Sequence, residues 1–383
     1  MTSAPTSTYQ HPSDGSTVFV TGANGFLGSH FTLRLAQMGV RQIYALVRGT
    51  TDSVRSQRLS RALQRAAKSC GQSLSQDYDA TRVIEGDVRS PGFGFNTTTV
   101  HRLFAARISQ VWHFASDLRF EDRFKRDIFQ TNVVGAQNAM RVAQALGARL
   151  IYISTAYTAG RAEGDILEQL HPIEGPFNNV YEESKCITEH LLLEDSGEAN
   201  VPLTILRPSI VVGPESTRFS SGSSTGLYGF VRAISQFRTN VMQDSGFLRL
   251  AATPSVEINF VPVDRVVDDM IGLMNNGFGT QQIYHLTAMR SVTAAQCWEV
   301  LEQLIGLRNI YLQPRGSFIQ SSSEKLLTRR IRFFVDYINT HKKFRRHLGE
   351  GPVVTPQDFA NYVAATIKPG MLVRGDTHLM SAT

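Results

Sequence analysis

Cysteine is scarce in this chain. Its three residues, Cys70, Cys186 and Cys297, are odd in number and far apart, and no C-x-x-C pair occurs. That pattern suits neither a disulfide framework nor a zinc site. It points to a reducing compartment, the cytoplasm, and no metal is expected. Long apolar runs are missing too, so no segment is expected to span a bilayer. Met1 to Ser16 is polar, with Ser, Thr and Pro but no apolar stretch, which argues against a secretory signal and predicts a disordered tail. Acids are outnumbered, 33 Asp and Glu against 39 Lys and Arg, for a formal net charge of +6. The excess lies in no recognised nucleic-acid motif, and no nucleic-acid partner is expected. Part of it is concentrated: Lys325, Arg329, Arg330, Arg332, Lys342, Lys343, Arg345 and Arg346 stand against Asp336 alone. Two readings of that segment are open, a solvated helix face or a helix whose charges rim the entrance for an anionic partner.

What is present begins at Thr17. Thr17 to Val20 reads as a buried strand, Gly22, Gly25 and Gly28 follow, and an apolar-periodic segment starts at Phe26 and Leu27. Strand, tight turn and helix are the context in which such glycines cradle a pyrophosphate. Glycine lets the backbone approach, and the helix N-terminus offers free N–H groups. Thr21 and Asn24 complete the turn. Gln42 to Val47 is a second strand ending at Arg48. An acid there would favour ribose hydroxyls, whereas Arg favours a 2′-phosphate, so NADPH is the expected cofactor. Thr50 to Asp79, with Leu59, Leu63 and Ala67 at helical spacing, predicts one long helix. Arg82 to Glu85 is a third strand, followed by Asp87, placed to accept from an adenine amino group, and Val88. Gln110 to Phe114 is a fourth, running into the small residues Ala115 and Ser116. Thr131 to Leu146 predicts a helix, with Asn132 at its start as a cap or a cofactor contact.

Arg149 to Ser154 is a fifth strand with Thr155 at its C-terminal end, where open parallel sheets place their sites. Gly160 to Asn179 reads as a polar connection. Tyr181 and Lys185 then open a helix, four residues apart and on one face. A neighbouring ammonium and a positive nicotinamide favour the phenolate, which suits Tyr181 to proton donation near neutral pH. Leu203 to Leu206 is a sixth strand, leading to Pro208 and Ile210. Further on, Leu227 to Phe237, Val266 to Met274 and Ala294 to Ile305 read as helices. Ile258 to Asp264 reads as a strand with a turn, and Gln282 to Leu286 as a strand.

The order Thr21-Gly22-x-x-Gly25-x-x-Gly28, Gly86-Asp87-Val88, Ser154-Thr155, Tyr181-x-x-x-Lys185, Arg207-Pro208 resembles the extended short-chain dehydrogenase/reductase superfamily. Gly25-Phe26-Leu27-Gly28, Leu46-Val47-Arg48 with a long insert after it, Pro91-x-Phe93-Gly94-Phe95 and Trp112-His113-Phe114-Ala115 resemble the branch holding fatty acyl-CoA reductases and thioester reductase domains. The resemblance implies an α/β fold: a doubly wound parallel (Rossmann) sheet over 17–213, and a smaller, mostly helical substrate-binding region over 214–383 from which 256–290 returns to the core. It implies that Thr155 polarises the substrate carbonyl, Tyr181 donates a proton, and Lys185 holds the nicotinamide ribose and depresses the tyrosine. Gly22, Gly25 and Gly28 would cradle the pyrophosphate, Arg48 would meet the 2′-phosphate, Asp87 the adenine and Ala115 the ribose. Thr21, Asn24, Phe26, Leu27, Val88, Ser116, Asn132, Pro208 and Ile210 would complete the cofactor's surroundings. The leading function is NADPH-dependent reduction of a small-molecule acyl thioester, on an acidic carrier protein or coenzyme A, to an aldehyde or alcohol. The same residues would serve an NADP-dependent ketone or alcohol oxidoreductase. A nucleotide-sugar epimerase or dehydratase and a non-catalytic NADP-sensing protein are further readings, the last opposed by Tyr181 and Lys185.

Overall fold

The computed structural model describes residues 16–73, 81–220, 226–241, 247–306 and 310–367. The tail Met1 to Gly15 and the end of the expected long helix lie outside the described residues.

Seven strands form one sheet in the order Thr81–Glu85, Gln42–Val47, Thr17–Thr21, Ile108–His113, Arg149–Ile153, Leu203–Pro208, Ile283–Leu286. Every neighbouring pair is parallel. The central runs are apolar throughout because helices cover both faces. Along Thr17–Thr21, Val18 and Val20 face the helices Phe26–Gln37, Asp52–Ser69 and Val263–Asn275, while Phe19 faces the helices Gly135–Leu146 and Val180–Ala199. The chain order reverses between Thr17–Thr21 and Ile108–His113, so a crevice opens at the C-terminal ends of those two strands. The strand Ile283–Leu286 comes from the expected returning segment and closes the sheet edge.

The remaining strands are short and paired over long sequence distances. Ile210–Val212 pairs with Phe260–Pro262, Glu257–Ile258 with Val292–Thr293, Leu248–Ala251 with Ile310–Gln313, and Gly164–Ile166 with Lys342–Phe344. A second apolar cluster sits among them, with Leu250, Phe260, Trp298, Leu301, Leu327, Ile331, Phe359 and Val363 at its centre.

Four local expectations are corrected. The long helix runs from Asp52 to Ser69 only, starting where Thr51 accepts from the Val54 N–H. The helix expected from Thr131 begins at Lys125 and passes through a π turn at Gln130–Val134. Asn132 is therefore inside it, and does not cap it. The connection Gly160 to Asn179 holds the strand Gly164–Ile166. The basic segment is not one helix: it breaks at Ile331 into Ser322–Arg330 and Arg332–Val335, then becomes the strand Lys342–Phe344. Side chains of Asn339 and Thr340 bond back to the Val335 and Asp336 carbonyls and end the helical path.

Candidate active site

One cavity of about 720 Å³ runs along the C-terminal ends of the strands and on into the second apolar cluster. At one end lies the glycine turn. Gly22 has φ +70°, and a Cβ there would sit 2.6 Å from the Ala115 nitrogen, so only glycine lets these two strand ends touch. Gly28 packs on the Gly22 carbonyl. The helix Phe26–Gln37 has no side-chain cap and no acid in its first turn. Its free N–H groups are a ready anion site at the cavity wall, which the residues Gly22, Asn24, Gly25, Phe26, Leu27 and Gly28 line. These features fit the pyrophosphate of a dinucleotide. Arg48 also lines the cavity, 64% exposed and 4.0 Å from Asp87.

Val88, Ala115, Ser116, Pro208 and Ile210 line the cavity as well. Three expected cofactor residues do not. The Thr21 hydroxyl is spent beneath the turn, accepting from Ala115 N–H at 3.2 Å and bonded to His113 Nδ1 at 3.0 Å. The Asp87 carboxylate is held by Arg89 at 2.8 Å; burial would raise its pKa, but the Arg89 bonds carry it lower. Asn132 accepts from the Asp117 N–H at 2.7 Å and the Ser116 hydroxyl at 3.0 Å, and donates to the Ser184 hydroxyl at 2.9 Å. It ties the strand-end loop at Ser116 to the helix of Tyr181.

Thr155, Tyr181 and Lys185 meet at the middle of the cavity. Thr155 lies two residues past the fifth strand and opens a short helical turn, accepting from the Tyr157 N–H at 3.3 Å. Asn179 caps the helix Val180–Ala199, accepting from the Glu182 N–H at 3.0 Å, and so points Tyr181 and Lys185 inward. The Thr155 hydroxyl faces the Tyr181 phenol and favours its ionised form. The Lys185 ammonium donates to the Ile153 carbonyl at 2.7 Å and lies 5.9 Å from the Tyr181 ring centre. The expected depression of Tyr181 is reversed. Burial first, then the Glu182 charge, pushes its phenol above the ordinary value, with Thr155 opposing. Burial also pushes Lys185 down to about 7, against Glu189. Lys185 is fully buried and Tyr181 half-buried at the cavity wall, and desolvation of the charged form is the largest influence on each. Tyr181 therefore keeps its proton, the form a donor needs.

The far part of the cavity is apolar, walled by Phe230, Leu250, Phe260, Trp298, Phe334 and Phe359. The basic segment contributes Arg330, Phe333, Phe334, Tyr337 and Ile338 to the wall. Lys342, Lys343, Arg345 and Arg346 are absent from it. Lys342 donates to the Ala162 carbonyl, Arg345 pairs with Asp165 at 2.7 Å and Arg346 with Asp269 at 3.0 Å. Lys342, Arg345 and Arg346 thus brace the fold, and of the segment's eight cations only Arg330 reaches the cavity wall. Arg58, which the sequence reading passed over, lines the cavity beside Arg48 and donates to its carbonyl at 2.6 Å. Its signal was a second Arg on the outer face of the helix that follows the Arg48 strand. Tyr157, Phe120 and Tyr337 had no local signal. Among the described residues no cluster of His, Cys, Asp and Glu forms a metal site, and no helix is long and apolar enough to cross a membrane.

Comparison with known proteins follows the same lines. Residues 20–270 match the family described as Male sterility protein. The alcohol-forming fatty acyl-CoA reductase of Simmondsia chinensis is 24% identical over 322 residues, covering 68% of this chain and 63% of that protein. The first curated relatives are matched over 53%, 25% and 28% of their length, so this chain spans about half of them or less. In fold, the terminal R domain from the myxalamid PKS-NRPS biosynthetic pathway superposes with a TM-score of 0.71 at 23% identity, covering 91% of this chain and 90% of that one. A thiolation-reductase di-domain from an archaeal non-ribosomal peptide synthetase gives 0.70 at 18%, covering 92% and 75%. The chain belongs to the male sterility protein family, within the extended short-chain dehydrogenase/reductase oxidoreductases.

Proposed function

We propose that this protein reduces an acyl thioester, with NADPH as the reductant and an apolar acyl group as the part that is gripped. One observation carries the reading: a single cavity joins the glycine turn, the Thr155–Tyr181–Lys185 group and an apolar chamber. Gly22, Gly25, Gly28 and the bare helix start would hold the pyrophosphate, and Arg48 with Arg58 the 2′-phosphate. NADPH, when bound, supplies a hydride. Thr155 and Tyr181 both line the cavity, and their hydroxyls would bind the carbonyl oxygen and stabilise the charge it gains. Tyr181 would pass its proton to that oxygen to give a hemithioacetal; as its C–S bond breaks, the hydroxyl proton leaves the oxygen and ends on the departing sulfur, which gives an aldehyde and a thiol. Lys185 lies 5.9 Å from the Tyr181 ring centre and would stabilise the phenolate left when the proton is passed on. The apolar walls at Phe230, Trp298 and Phe334 favour an acyl chain over a nucleotide sugar, which would leave its hydroxyls unpaired there. The thiol side would carry the handle, a phosphopantetheine on a carrier protein or on coenzyme A. The fold likeness to a thiolation-reductase di-domain supports that class of handle.

The experiment is NADPH oxidation against an acyl-CoA, an acyl-pantetheine and a panel of ketones, with the aldehyde trapped. Turnover of thioesters above ketones upholds the reading. Turnover of ketones alone replaces it with a ketone reductase using the same three residues.

A further inference from the structure

The proton donor Tyr181 is followed by a carboxylate, Glu182, whose side chain is wholly buried. Its partners come from two distant parts of the chain. The Tyr337 hydroxyl donates to Oε1 at 2.5 Å, the Asn178 side chain to Oε1 at 3.2 Å, and the Asn178 N–H to Oε2 at 3.1 Å. The Asn179 side chain, which caps the catalytic helix through its oxygen, donates through its nitrogen to the Tyr337 oxygen at 3.1 Å. The same stretch of chain grips the turn after Thr155. The Tyr157 ring lies edge-on to Tyr337 at 4.8 Å and to Phe344 at 5.4 Å, and Lys342–Phe344 pairs with Gly164–Ile166.

We propose that Tyr337, anchored on Glu182, is a positioning residue for the reduction, and that residues 337–344 clasp together the two elements carrying Thr155 and Tyr181. The inference rests on the reading of Tyr181 as the proton donor. Tyr337 is also a wall of the substrate cavity. The chamber that holds the acyl group is thus bonded to the helix that delivers the proton. A carboxylate is a costly choice for a mere packing contact in so dry a place. Its charge has a use here, because it sits beside Tyr181 and helps keep that phenol protonated.

The groups facing Glu182 are Tyr181 on its own helix, Tyr157 on the turn, and Tyr337 and Lys342 on the clasp. Burial pushes Glu182 up to about 7, with Tyr337, Asn178 and Lys342 opposing. Lys342 is itself pushed down to about 8 by burial. Above about 7 the carboxylate accepts the Tyr337 proton; below it, the acid's own proton competes and the anchor slackens. Turnover should therefore rise with pH on an acid limb set by Glu182, and fall on an alkaline limb as Lys185, also near 7, loses its proton.

The test uses the full chain, NADPH and octanoyl-CoA as the probe, with rates taken between about pH 5 and 9. Tyr337→Phe keeps the ring against Tyr157 and removes only the hydroxyl. It should lower kcat about tenfold, as expected for losing a bond to a charged group, with thioester KM and NADPH Kd unchanged. Glu182→Gln should remove the acid limb and keep the alkaline one. Hydrogen exchange should speed up across residues 178–186 in Tyr337→Phe and stay constant in the central strands. An unchanged kcat in Tyr337→Phe, a loss seen only in KM or Tm, or an acid limb that persists in Glu182→Gln overturns the clasp. So does unchanged exchange at 178–186, which needs no turnover to read. Tyr181→Phe separates the two ideas. If it stays active, the proton-donor reading fails; if it is dead while Tyr337→Phe is like wild type, only the clasp fails.

Discussion

The half of the chain up to Gly213 and the half beyond it bury apolar surface by different means. The first half repeats one local unit, a strand followed by a helix, and each strand end delivers one or two functional side chains to the same edge of the sheet. Gly22, Arg48, Ala115, Thr155 and Pro208 all arrive that way. The second half has no repeat. It is made of two-stranded pairs and short helices around Trp298, Leu301 and Phe359, and its partners are far apart in sequence. Regular architecture thus places the candidate site residues, and irregular architecture walls the apolar chamber beside them. The halves also differ in how they use charge. The second half pairs its buried guanidinium, Arg346 with Asp269, for support. The first half braces itself the same way with Arg207 on Glu189, but it also leaves Lys185 and Glu182 buried without an ion-pair partner, where each resists its charged form.

That contrast can be broken in order of expected effect. Tyr181→Phe should cut turnover about 10²–10⁴-fold while NADPH affinity, measured by calorimetry, stays near wild type. A variant at wild-type kcat would mean the first half does not hold the chemistry. Arg346→Ala should leave Asp269 buried beside a missing cation and cost roughly 3 kcal/mol of stability, read by urea unfolding, with NADPH affinity kept. Arg58→Ala should weaken NADPH about tenfold and NADH little, since one charge-assisted bond to a 2′-phosphate is at stake. Equal losses for both cofactors would place Arg58 elsewhere on the nucleotide. Lys343→Glu is the smallest. The side chain is exposed and lines no cavity, so stability should move by less than about 0.5 kcal/mol and kcat/KM should not change at low or high salt. A salt-screened fall in kcat/KM would restore the segment as a docking rim.

Most of the sheet was legible because its signals are local. Apolar runs of five or six residues, bounded by glycine or a polar turn, gave the strands to within a few residues. Tyr181 and Lys185 were legible because a four-residue spacing fixes one helix face. Asn132 was harder: a helix can begin before its apolar stripe does, and Lys125–Phe129 carries too few apolar residues to announce itself. The segment from Lys325 misled for the opposite reason. Its apolar spacing does suit a helix, and the helices Ser322–Arg330 and Arg332–Val335 form, but pairing with Gly164–Ile166 takes Lys342–Phe344 as a strand. The pKa of Tyr181 could not be read from the Lys185 spacing, since its sign is set by burial that only the assembled fold supplies.

The pairing of Lys342–Phe344 with Gly164–Ile166 joins points some 180 residues apart. Contacts of that span come late in folding, because the loop between them must first be gathered at a cost in chain entropy. The glycine turn needs only the early strands. A folding molecule would therefore form its glycine turn before the contact that braces the proposed proton donor.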